Sequence, residues 1–269
     1  MEDVLTDIPP PSRFFQEDLN IFTPPSPSLP RPFLLFSDTH AYKILRPSTL
    51  IVAISPASRQ IFQKVSKTRV GSLILPEILF SGNTVVPSAK DKSCYIYSLD
   101  DSDNPVVVVL VQCPIPAERS HVFSKVLLGG QIVPKRVLIL DSIQSQNFRC
   151  KLSRDETLAY KLETLSQSDS SGDACGSSSL LKGLDYFPSG SVIDGLAAAL
   201  LARCQILNIK GTLCVCWPEF DNSVVLLLKS LLLKDVLQET NFDSGNGYGD
   251  ESLRYGWTKD PVLESELYT

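Results

Sequence analysis

The run Val106–Gln112 (VVVVLVQ) constrains this chain more than any other stretch. β-Branched side chains favour extended backbone, and successive residues of a strand point to opposite faces. A strand apolar at nearly every position has to be covered on both sides, which a half-solvated sheet does not provide. Thr49–Ser55 (TLIVAIS), Arg136–Leu140 and Gly211–Trp217 (GTLCVCW) repeat the pattern. Cys94–Leu99 (CYIYSL) is a further strand candidate, joined to the valine run by the charged turn Asp100–Pro105.

Segments of helical spacing stand between these runs. Pro56 is suited to the first position of a helix that continues through Arg59, Ile61, Phe62 and Val65. Pro116–Leu128 reads as an amphipathic helix with Val122, Val126 and Leu127 inward, stopped by Gly129-Gly130. Ser191 is positioned to cap a helix over VIDGLAAALLARCQIL, with Asp194 in its first turn. Gly195 and Ala197-Ala198-Ala199 permit close approach to a neighbouring element, and Asn222–Leu237 forms a last, apolar helix. The alternation predicts an α/β fold: a layered mixed or mostly parallel sheet flanked by helices, in a single globular domain over residues 48–237. Residues 165–190, rich in Ser, Gly and Asp, read as a surface loop or partly disordered insertion. No internal repeat is visible.

The two ends differ from this body. Met1–Pro47 holds nine of the nineteen prolines, so it predicts an extended Pro-rich arm with no long helix or central strand. Phe14, Phe15, Phe22, Phe33 and Phe36 suit it to packing on a surface. Residues 238–269 read as a flexible C-terminal tail, with Gly245, Gly247 and Gly249 in a stretch of little apolar periodicity. The tail ends Leu267-Tyr268-Thr269, which is hydrophobic–Tyr–any followed by an α-carboxylate. Such a tripeptide suits a pocket that captures a chain terminus.

Charge limits the partners. A net charge of −5 and a pI of about 5.1 argue against nucleic acid or an anionic membrane, both of which reward clustered Lys and Arg. From Met-Glu-Asp-Val onward no secretory signal is expected, and no apolar run reaches the roughly 18–20 residues that cross a bilayer. The richest run, Val224–Leu233, is interrupted by Lys229. Seven scattered cysteines fit reduced core residues, so the expected location is cytoplasmic, with the nucleus as a second compartment. With 43% hydrophobic residues and a long arm, the chain is expected to need an obligate partner.

Motifs of catalysis are sparse, and no cofactor or metal is expected. His40 lies near the arm, and His121 reads as a half-exposed helix residue. Cys214 and Cys216 share one face of a strand, yet structural zinc needs about four ligands and no second pair exists. Gly245-Asn-Gly247-Tyr-Gly249 lacks the strand, helix and GK[ST] element of a phosphate loop. No G-x-S-x-G elbow is present. Asp141, at a strand's carboxyl end, is placed to face the crevice where many α/β folds bind ligands.

Val192–Glu219 (VIDGLAAALLARCQILNIKGTLCVCWPE) resembles a segment of the proteasome assembly chaperone 1 family, with Ala197, Ala198, Cys204, Gln205 and Leu213–Trp217 carrying the likeness. Val137–Asn147 resembles the preceding core strand and its exit, and Leu50–Ile54 the first strand. Leu267, Tyr268 and Thr269 match the family's C-terminal motif residue by residue. The Pro-rich arm and the Ser/Gly insertion depart from the family pattern. The resemblance implies a non-catalytic chaperone that pairs with proteasome assembly chaperone 2 and holds proteasome α subunits during α-ring and core-particle assembly. It also implies that the tail docks between neighbouring α subunits. Two other classes compete: a small-molecule α/β enzyme, hydrolase or nucleoside-handling, centred on Asp141, and an adaptor for a PDZ-like groove. Thr269 is poor for the latter.

Overall fold

Strand β2 (Thr49–Ala53) is buried at every position, and its two faces meet different helices. A computed structural model describes residues 30–37, 44–63, 65–76, 94–99, 105–153, 156–165 and 180–237. All of these but Pro30 belong to one unit that begins at Arg31.

Nine strands form one sheet in the order β1-β3-β4-β5-β2-β6-β9-β7-β8. They are β1 (Phe33–Phe36), β2, β3 (Thr68–Ile74), β4 (Cys94–Ser98), β5 (Val106–Leu110), β6 (Arg136–Ser142), β7 (Leu158–Glu163), β8 (Asp185–Tyr186) and β9 (Lys210–Trp217). The centre β5-β2-β6-β9 is parallel, in the register Ile51↔Val108, Ile51↔Leu138 and Leu138↔Thr212. These are the apolar runs of the sequence. The flanks β1-β3-β4 pair antiparallel, as does β7 with β9.

The described helices are α1 (Pro56–Gln63), α2 (Ala117–Leu127), α3 (Gly195–Ile206) and α4 (Asn222–Asp235). Alternation along the strands divides the core in two. Leu50, Val52, Val107, Val109, Val137 and Ile139 face one cluster with α2 and α3, through Phe123, Leu127, Leu196 and Leu200. Ile51, Ala53, Val108, Leu138 and Leu140 face the other with α1 and α4, through Phe62, Val224, Leu228 and Leu232. This is the layered mixed sheet between helices that the sequence predicts.

Local chemistry adjusts several boundaries. At the start of α1, Ser55 Oγ accepts from the Ser58 amide at 3.3 Å, which caps the helix that Pro56 opens. Ser191 does not cap α3. Its hydroxyl accepts from the Arg149 amide at 3.0 Å, and the helix begins only at Gly195, after Asp194. The Asp194 carboxylate also turns away from the helix amides and accepts from Asn147 Nδ2 at 2.8 Å. On α2, Phe123 and Leu127 carry the burial, while Val122 and Val126 are only half-buried. Phe33–Phe36, within the stretch expected to be an extended arm, pairs with β3 as an edge strand, with Leu34 and Phe36 against the core. An edge strand needs bonds on one side only, so Pro32 beside it does no harm. Asp185–Tyr186, inside the predicted insertion, adds a short strand beside β7.

Candidate functional site

The parallel centre fixes two unlike rims. At the carboxyl rim, β2 ends at Ala53, β5 at Leu110, β6 at Ser142 and β9 at Trp217. The chain leaves β2 toward α1 on one face and leaves β5 toward α2 on the other, so the connections from these neighbouring strands diverge at this rim.

Asp141 is the penultimate residue of β6, which runs two residues beyond the predicted end at Leu140, and stands at this rim. Its Oδ1 accepts from the Ser142 amide at 2.8 Å. Burial pushes its carboxyl up to about 6, opposed by that amide and reinforced by the negative charges of Glu219 and Asp194. Glu219, just past β9, is also held above the ordinary carboxylate range by burial, with Arg59 pulling the other way. Arg59, on α1, donates from Nη1 to the Gln112 carbonyl at 3.1 Å, and its Nε is buried without a hydrogen-bond partner. Burial draws the arginine below its usual pKa, opposed by Cys113, Cys94 and Glu219. The rim therefore gathers one arginine and three carboxyl groups. Sequence reasoning found Asp141 and missed Arg59 and Glu219. Their signal was position, on the first turn after β2 and in the loop after β9.

This arrangement holds polar groups without supplying an evident nucleophile and base. Cys214 and Cys216 do share one strand face, with their sulfurs 3.8 Å apart, but both are buried in the α1–α4 cluster. The hydrogen bond to Cys214, with burial, holds the Cys216 thiol well above its ordinary pKa, which disfavours the thiolate a nucleophile or metal ligand needs. Among the described residues, no three His, Cys, Asp or Glu side chains gather where they could hold a metal ion. His121 is exposed on α2, and His40 lies outside the described residues. So do Leu267, Tyr268 and Thr269, the expected partner-binding residues. No helix among the described residues is long and apolar enough to cross a membrane.

The fold is similar to those of several solved structures. PbaA of Pyrococcus furiosus, an archaeal homolog of proteasome-assembly chaperone, aligns over 80% of this chain and 85% of its own, at a TM-score of 0.54 and 10% identity. PbaB of the same organism, an archaeal proteasome activator, aligns over 79% of this chain and 91% of its own, at 0.54 and 13%. A protein with unknown function from Thermoplasma acidophilum aligns over 74% of this chain and 79% of its own, at 0.51 and 17%. At such identities the likeness is one of fold. No family model matches the chain, and no curated protein matches its sequence.

Proposed function

We propose that this chain is a proteasome assembly chaperone. It would pair with proteasome assembly chaperone 2, bind proteasome α subunits and promote assembly of the α ring and core particle. The observation that carries this reading is a conjunction: a fold shared with PbaA and PbaB, and a sequence that ends Leu267-Tyr268-Thr269. Leu267 would fill an apolar niche, Tyr268 would pack its ring while its hydroxyl is satisfied, and the Thr269 carboxylate would pair with a pocket lysine. Binding by three residues alone is weak, because the tail must be ordered. Tethered to a second contact on the body, the same tail gains an effective concentration worth roughly 10²–10⁴ in avidity.

The test is to lengthen the chain by one residue after Thr269. This changes no side chain but moves the carboxylate away from its cation, and a buried cation left unpaired costs about 3–5 kcal/mol. Binding to isolated α rings, measured by interferometry, is expected to weaken as it does for Tyr268→Ala and for deletion of residues 267–269. Unchanged affinity in the lengthened chain would rule out carboxylate capture.

The raised pKa of Asp141 favours a second reading, a small-molecule enzyme acting at the carboxyl rim. Asp141→Asn separates the two. It should leave α-ring assembly intact if the rim is structural.

A further inference from the structure

The opposite rim of the sheet carries a surface that the tail does not account for. Two extended segments lead into β2 and β6 and run side by side, bridged in parallel at Leu45 and Ile132. The Leu45 amide donates to the Gln131 carbonyl at 2.8 Å, the Val133 amide to the Leu45 carbonyl at 2.9 Å, and the Lys135 amide to the Pro47 carbonyl at 3.0 Å. Alternation then sorts their side chains. Leu45, Pro47, Ile132 and Pro134 are buried, while Ile44, Arg46, Val133 and Lys135 are exposed. Ile44 is 50% exposed and Val133 39% exposed, which makes the outward ladder apolar and basic by turns.

The basic residues here are not explained by helix ends. Lys125, Arg203 and Lys234 lie in last helical turns, where they offset the C-terminal dipole. Arg46 and Lys135 stand on extended backbone with no helix to compensate. At the end of α3, which returns from the carboxyl rim toward this one, Ile206 is 68% exposed and Leu207 39% exposed. Helix α4 returns in the same sense, from the carboxyl rim toward this one.

We propose that this amino rim, centred on Ile44, Arg46, Val133 and Lys135, is the second contact that works with the tail. Its occupant is an acidic protein surface with apolar anchor points, on a proteasome α subunit. The inference rests on the chaperone reading. Arg46 and Lys135 supply electrostatic complementarity, and Ile44 and Val133 supply the apolar contact that a purely steering patch lacks. Nucleic acid fits less well, because aliphatic residues alternate with the charges and the whole chain is acidic.

Two full-length double variants test this, Arg46→Glu with Lys135→Glu and Ile44→Ser with Val133→Ser. Binding to purified α subunits is measured against salt for the parent, both variants and a chain lacking residues 267–269, with a parallel titration of duplex DNA. The residues are exposed, so thermal midpoints should stay close to the parent's. Charge reversal is expected to weaken α-subunit binding by on the order of tenfold or more and to flatten its salt dependence. The serine variant is expected to weaken binding while keeping the salt slope, and the chain without its tail to retain salt-sensitive binding. Parent-like affinity in both variants overturns the rim assignment and leaves the chaperone reading standing. A parent that binds no α subunit overturns both. Tight duplex binding that charge reversal abolishes, with α-subunit binding unchanged, would show a nucleic-acid surface and overturn the proposal.

Discussion

Asp141 shows how one buried side chain can cost stability. Burial raises its carboxyl from 3.8 to about 6, so the folded protein holds a proton there that the unfolded chain has released. The sign follows from proton counting. Between about pH 4 and pH 6 the folded state binds more protons, so stability falls as pH rises through this window. Below it both states are protonated and the cost is absent; above it both are ionised and the cost is complete, on the order of 1–3 kcal/mol. Asp141→Asn removes the titration, and its amide oxygen can still accept from Ser142. The variant's thermal midpoint is expected to exceed the parent's at pH 7.5 and to match it near pH 4. A parent midpoint that does not fall from pH 4 to 6 relative to the variant would contradict this account of Asp141.

Among the elements, α3 packs closely on β9 at Gly211. A Cβ built there would lie 2.9 Å from the Cβ of Cys204 and 3.2 Å from Cγ2 of Thr164. Thr164 cannot simply retreat, since its hydroxyl donates to the Ile209 carbonyl at 3.0 Å and accepts from the Gly211 amide at 2.8 Å. Gly211→Ala is therefore expected to destabilise by about 1–3 kcal/mol, read as a shifted midpoint in urea with unchanged slope. The same contact shows what the sequence could and could not tell. The four parallel strands were legible as short apolar runs rich in β-branched residues and bounded by turn residues, and the helices by their apolar spacing. Strands β1, β3, β7 and β8 were not. β3 carries Arg69, Gly71 and Ser72, and β7 places Lys161 on a buried face, where Nζ lies 3.6 Å from Glu163 and 5.1 Å from the Tyr186 ring centre. Glu163 lies two residues along the same strand, but Tyr186 comes from β8, and a reading of local pattern cannot supply it. Asp141 was visible because it interrupts an apolar strand. Glu219 becomes its neighbour, and Arg59 the neighbour of Glu219, only when α1 and the end of β9 are brought to one rim.

For the whole molecule, exposed apolar surface remains after both layers of the sheet are covered. Phe33 and Leu35 on β1, Leu226 on α4 and Phe220 before it are exposed, the last two by 68% and 69%. Helix α4 buries Val224, Leu228 and Leu232 inward, yet its other leucines are only partly covered. A helix apolar around most of its circumference is ordinarily enclosed. The proposed partner, proteasome assembly chaperone 2, would enclose such surface, and linkage then fixes what mixing should do. A ligand that binds only the folded state stabilises by RT ln(1 + [L]/Kd), about 2.7 kcal/mol at a hundredfold excess over Kd. The thermal midpoint of this chain should rise with partner concentration, and the same rise should be seen after residues 267–269 are deleted, because the tail serves a different contact. Leu226→Glu should reduce the rise if α4 forms part of the interface, while leaving the isolated chain's midpoint near the parent's. A midpoint indifferent to saturating partner, in a chain that is monodisperse and stable alone, would show that the remaining apolar surface does not serve that subunit.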